Sequence, residues 1–163
     1  MQDLTIELDE GVLNCRAAAI INHNGKILFH KNVAEPHYAL IGGRVQVTEN
    51  SADTVRRELK EELGKEIELT GYICTIENFF KHPHTGKSYH EIMFIHKAEF
   101  VDENDKKITE TLQNIEEAEL KEGEHIQYEW LDLDKIDSYD IRPVKIKEVL
   151  KNGIFPTHVV NYG

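Results

Sequence analysis

Residues 42–64 read GGRVQVTENSADTVRRELKEELG. Two glycines open the stretch and a third closes it. Between them, Ala52, Val55, Leu59 and Leu63 recur at helical spacing and make one apolar stripe. The pattern predicts a helix over 49–63, with Asn50 or Ser51 as its cap and acidic residues in its first turn. Gly64 falls where a helix C-terminus favours a left-handed residue. At about 100° per residue, Glu58, Glu61 and Glu62 gather on a second face, spaced i, i+3, i+4. Like charges so placed repel and cost helix stability. Many acidic helix faces are only solvated surface. A cluster of hard oxygen donors is also what Mg²⁺ or Mn²⁺ binds. Ca²⁺ would suit the same oxygens, but no loop has EF-hand spacing.

Outward from this helix, the chain alternates strands and turns. Leu13 to Ile21 and Lys26 to His30 are apolar runs separated by Asn22-His23-Asn24-Gly25, and Asn-Gly between apolar runs signals a hairpin. Tyr38 to Ile41 reads as a short strand leading into the glycine pair. Ile67 to Phe80, bent at Gly71, and Tyr89 to Phe100 read as a second hairpin around a loop containing Pro83 and Gly86. Residues 102–124 are acidic and polar and read as an exposed connection. Ile126 to Leu133, with Trp130, reads as a strand, and a last helix is expected from Arg142-Pro143 to about Gly153. Interspersed strands and helices, with hairpins that demand antiparallel pairs, make an α/β (α+β) layered domain on a mixed sheet.

The 163 residues suffice for one domain with a substantial core, so a single domain over 1–163 is expected. Hydrophobic residues at 40% and charged residues at 30% exclude wholesale disorder. A formal net charge of −11, without a Lys/Arg block, argues against binding long nucleic acid. Such a protein needs local arginines, helix N-termini or a cation to handle a polyphosphate. Cys15 and Cys74 lie in apolar runs without metal-ligand spacing and read as buried and reduced. The N-terminus has no signal-peptide pattern and no apolar run reaches membrane-spanning length, so a soluble, cytoplasmic protein is expected.

The conjunction of Gly43, Glu49 six positions later, and Arg57-Glu58-Leu59-Lys60-Glu61-Glu62-Leu63-Gly64 resembles the signature of the Nudix hydrolases (MutT-like pyrophosphohydrolases). That signature is a glycine, five residues, a glutamate, seven residues, then Arg-Glu-aliphatic-any-Glu-Glu-any-Gly-aliphatic. The sequence departs from it or its usual surroundings in three places. Lys65 takes the final aliphatic position, Ile41 stands where proline is common, and Gln46 and Thr48 replace an acidic residue and a glycine in the lead-in.

The resemblance implies an α/β/α sandwich. It also implies divalent-metal-dependent hydrolysis of the pyrophosphate bond in a nucleoside diphosphate linked to another moiety. Nucleoside triphosphates, sugar nucleotides such as ADP-ribose and dinucleotide polyphosphates are the substrate classes it allows. By the same resemblance, Glu58, Glu61 and Glu62, with the Gly42 carbonyl, would hold the metal, Mg²⁺ or Mn²⁺. Arg57 would orient the carboxylates and Glu49 would brace Arg57. The base would be one of the glutamates or one from a later loop, within 116–124. The family also allows a homodimer. The alternative is a non-catalytic Nudix domain that senses a nucleotide.

Outside the signature, Arg16 in the first strand and Arg44 after the glycines are candidate phosphate contacts, and Glu91 is a candidate metal or substrate ligand. Each has a plainer reading: a paired strand charge, a solvent-facing arginine, an edge-strand polar residue. His82-Pro83-His84 reads as a loop. Phe79, Phe80 and Tyr38 could stack a base, though strand aromatics more often build the core.

Overall fold

The computed structural model describes residues 1–102, 104–105, 125–153 and 157–162. The glutamates of 116–124, and nearly all of the acidic connection, lie outside the described residues.

Nine strands are described: β1 (Thr5–Leu8), β2 (Gly11–His23), β3 (Lys26–Asn32), β4 (Ala39–Leu40), β5 (Gly42–Arg44), β6 (Ile67–Lys81), β7 (Ser88–Phe100), β8 (Ile126–Asp132) and β9 (His158–Tyr162). Two helices, α1 (Ser51–Leu63) and α2 (Lys145–Lys151), accompany them, with a 3₁₀ segment at Leu133–Ser138. β2 pairs in parallel with β7, β7 antiparallel with β6, and β6 in parallel with β9. On its other side β2 carries β5 and, at its far end, β3, which in turn pairs with β4 and β8. The sheet is mixed, as its composition of hairpins and crossovers requires.

The first hairpin turns at Asn24-Gly25, both at positive φ (51° and 74°), as Asn-Gly turns do. The β6–β7 register slips between Leu69 and Gly71 and again between Tyr72 and Cys74, so the expected bend is a pair of irregularities. Alternation along β2 places the helices. Ala17, Ala19 and Ile21 pack with Val55, Leu59 and Leu63 of α1. Ala18 and Ile20 pack with Ile146, Val149 and Leu150 of α2. Because successive strand residues face opposite sides, the two helices cover opposite faces, giving the three layers of an α/β/α sandwich. Val55 and Leu59 are fully buried, each contributing about 1.5–3 kcal/mol.

Helix α1 starts at Ser51 rather than at 49. Asn50 is the cap, its side chain accepting from the Asp53 N–H, and Gly64 ends the helix at φ 65°. Helix α2 starts at Lys145, later than expected. The Tyr38 N–H donates to the Asp140 carbonyl and the Arg142 N–H to the Tyr38 carbonyl, so residues 140–142 are held extended beside the β4 approach. Strands β1, β5 and β9 were not foreseen. Ile6 and Leu8 of β1 are exposed, so the strand lacks a buried apolar face. Cys74 is buried and Cys15 half-buried, both free thiols.

Candidate active site

The glycine pair is fixed by two different close approaches. A Cβ on Gly42 would lie 2.1 Å from the Ala17 carbonyl oxygen on β2. A Cβ on Gly43 would lie 2.1 Å from the Glu58 carboxyl carbon on α1. The first glycine lets β5 lie against β2. The second lets a glutamate carboxylate rest on the β5 backbone.

Arg57 ties the segment together. Its Nε donates to Glu49 Oε1 at 2.9 Å and its Nη2 to Glu49 Oε2 at 3.0 Å, a two-pronged pair. Nη2 also donates to the Arg44 carbonyl at 3.0 Å, joining loop to helix. Nη1 donates to Glu58 at 2.7 Å and Glu61 at 3.1 Å. Glu49 also accepts from the Thr54 hydroxyl and the Gln46 N–H. The Arg57 hydrogen bonds, assisted by Thr54 and Gln46 and opposed by burial, hold the Glu49 carboxyl down to about 2. Glu58 is displaced the other way. Burial raises its pKa and the charges of Glu62 and Glu61 add to this, while Arg57 opposes the shift.

Glu61 is 59% exposed, whereas the Glu62 side chain is only 8% exposed. Glu62 Oε2 accepts from the Tyr128 hydroxyl at 3.4 Å, and His30 Nδ1 lies 3.4 Å from the same oxygen. The three glutamates expected on one helix face thus divide: two onto Arg57, one onto β3 and β8. Among the described residues, no three His, Cys, Asp or Glu side chains already converge as a finished cation site. The donor set nevertheless fits a hard divalent cation. It offers several carboxylate oxygens, one of them partly buried and destabilised as an anion, in a cradle that a side chain on Gly43 would fill. Arg57 Nη1 supplies positive charge between Glu58 and Glu61 in this arrangement.

The residues proposed outside the signature lie close to it. Arg16 and Arg44 are register partners across β2 and β5. Arg16 donates to the Gly42 carbonyl at 3.2 Å, the oxygen expected to assist the metal. Arg44 is 42% exposed and lies 3.6 Å from Asp3. Glu91 is not an edge residue, because β7 lies between β2 and β6. It is buried and accepts from the amides of Asn14 (2.9 Å) and Asn78 (3.2 Å), with Arg16 Nε 4.0 Å away. Asn78 in turn accepts from the Asn161 amide of β9 at 2.8 Å. These asparagines, with Thr54, His30 and Tyr128, are the site neighbours that the sequence reading missed. The available signal was polar residues at strand positions that alternate inward.

Phe79 stacks with His90 and Tyr162, and Phe80 with Tyr89. The Tyr38 hydroxyl donates to Glu129 while Lys31 Nζ sits over its ring. All three aromatics are therefore engaged with neighbours. The His82 and His84 rings make an edge contact 5.8 Å apart.

The fold and the segment from Gly43 to Gly64 together are those of a Nudix hydrolase. The NUDIX domain profile matches residues 13–151, and the chain belongs to the NUDIX family. Solved structures agree on the fold. A NUDIX hydrolase from Nitrosomonas europaea superposes with a TM-score of 0.59 at 14% identity, covering 96% of this chain and 81% of that one. An ADP-ribose pyrophosphatase from Streptococcus suis gives 0.57 at 16% identity, over 90% and 98%. A MutT protein from Methanosarcina mazei gives 0.55 at 21% identity, over 89% and 94%. No curated protein sequence matches the chain. No described helix is long and apolar enough to cross a membrane.

Proposed function

We propose that this Nudix pyrophosphohydrolase cleaves the P–O–P linkage of a small nucleoside diphosphate derivative, releasing a nucleoside monophosphate and a phosphorylated product. The observation that carries the reading is the seating of Glu58 on Gly43 while Arg57 joins Glu49, Glu58 and Glu61. Glu58, Glu61 and Glu62 would hold Mg²⁺ or Mn²⁺, with the Gly42 carbonyl beside them. A cation held there would supply charge to neutralise the diphosphate and would lower the pKa of water. Arg57 keeps the carboxylates in place, and Glu49 keeps Arg57 in place. Arg16 and Arg44, register partners across β2 and β5, would take the phosphate oxygens. Glu91, held by two asparagines, serves this reading by orienting Arg16 rather than by binding a cation. The whole chain is read as one domain working on a diffusible substrate.

The test is a hydrolysis screen over nucleoside triphosphates, sugar nucleotides and dinucleotide polyphosphates with Mg²⁺ or Mn²⁺, with products identified by mass. Cation-dependent release of a monophosphate, abolished in Glu61→Gln, is the expected result. Nucleotide binding without turnover of any substrate in the screen, even with Mn²⁺, would favour the sensor alternative.

A further inference from the structure

We infer that His30 and Tyr128 are positioning residues for Glu62, fixing which of its oxygens is free for the cation; this rests on the reading of Glu62 as a cation-holding carboxylate. Glu62 is the one glutamate of the cluster that Arg57 does not reach, and its side chain is 8% exposed. A carboxylate that deep needs donors. Both of its described donor groups come from outside α1, and both address the same atom, Oε2. The Tyr128 hydroxyl is 3.4 Å away and His30 Nδ1 is 3.4 Å away.

The two residues are direct partners in the β3–β8 ladder, so the second half of the sheet delivers them together. Their rings lie 6.0 Å apart, tilted at 42°. His30 Nδ1 is buried and has no hydrogen bond of good geometry, although it sits within reach of the carboxylate. A buried imidazole nitrogen left in that state costs stability. A small adjustment of Glu62, of the kind that binding a cation through Oε1 would require, lets Nδ1–H donate to Oε2. In that arrangement Nδ1 carries the donated proton, and the two sheet residues would hold one oxygen while leaving the other for the cation. Partners that orient a ligating carboxylate in this way commonly matter about tenfold or more for metal affinity.

The experiment measures Mn²⁺ binding to the full chain by the loss of the free-ion electron paramagnetic resonance signal, beside thermal melts. Glu62→Gln tests the parent reading and His30 and Tyr128 variants test this one. His30→Leu is expected to weaken Mn²⁺ binding about tenfold. His30→Asn, whose side-chain amide takes the place of Nδ1–H, restores most of the loss, which a purely structural role would not predict. Tyr128→Phe weakens binding while keeping a near-native melt. Wild-type affinity in His30→Leu, or no recovery in His30→Asn, overturns the inference and leaves the parent reading standing. If His30→Leu fails to fold, wild-type affinity in Tyr128→Phe overturns it instead. Wild-type protein that binds no Mn²⁺, or Glu62→Gln that binds it unchanged, overturns both.

Discussion

Gly43 and Glu58 occupy what would be one another's space: a Cβ on the glycine would fall 2.1 Å from the glutamate's carboxyl carbon. Gly42, one residue earlier, is equally intolerant, but toward the Ala17 backbone. The two alanine substitutions should therefore fail differently. Gly43→Ala pushes aside the end of a flexible side chain, so the fold survives and hydrolysis drops about 100-fold from misplacement of Glu58. Gly42→Ala forces β5 off β2 and lowers stability by about 2 kcal/mol or more. Melting curves beside initial rates separate the two; equal loss of stability in both would contradict the assignment.

Glu61 is the exposed member of the acidic cluster. Glu61→Gln should leave the melting temperature nearly unchanged, because surface substitutions usually stay within about 0.5 kcal/mol. Turnover should fall by at least about two orders of magnitude if the carboxylate holds the cation. A variant with near-wild-type turnover removes Glu61 from the machinery.

Acid should loosen the glycine loop through Glu49. Its folded pKa is about 2 against an ordinary 4.5, so the folded state favours the ionised form. A depressed carboxylate pKa gives stability that is fully present above the ordinary value and is lost as pH falls through the folded value. Wild type should lose stability between about pH 4.5 and pH 2, and Glu49→Gln should show less of that dependence. The difference is on the order of 2 kcal/mol once partial exposure is allowed for. Denaturant titrations of both proteins across this range check it, and parallel pH profiles would refute it.

Thr48 stands where the related pattern has glycine, and its φ is 72°. A β-branched residue there is strained. Its hydroxyl contacts only the Met1 sulfur, at 3.8 Å, among its described hydrogen bonds. Thr48→Gly should raise stability by about 1 kcal/mol, in contrast to the usual cost of introducing glycine. A drop in the melting temperature would show that Thr48 earns its place by a contact of its own.

The clearest parts of the sequence were those where local chemistry and tertiary need coincide. Helix α1 was legible because its apolar stripe, its cap and Gly64 all mark the same element. The Asn24-Gly25 hairpin was legible because few residues tolerate two successive positive φ values. Strand β9 was not, because its pairing with β6 is set by a partner some 80 positions earlier. Within the site, the Glu49–Arg57 brace followed from resemblance. The division of the glutamates did not, because helical spacing places Glu62 beside Glu58 and Glu61 without saying that Tyr128 and His30 stand above it. The plainer reading of Glu91, an edge-strand polar residue, fails because a strand's position in the sheet depends on pairing order, which no local pattern carries.

Asn161 gives its amide to Asn78, which gives its own to Glu91, and the Asn161 side-chain oxygen accepts from the Lys145 N–H at the start of α2. The interior between β7 and β6 is thus finished by a strand synthesised after nearly everything it touches. On the ribosome, the sheet's central parallel pair can assemble once β7 has emerged, yet Asn78 keeps an unmet acceptor until residues 158–162 arrive. A nascent chain stalled before that point should remain open to protease along β6, and become resistant only when β9 clears the exit tunnel.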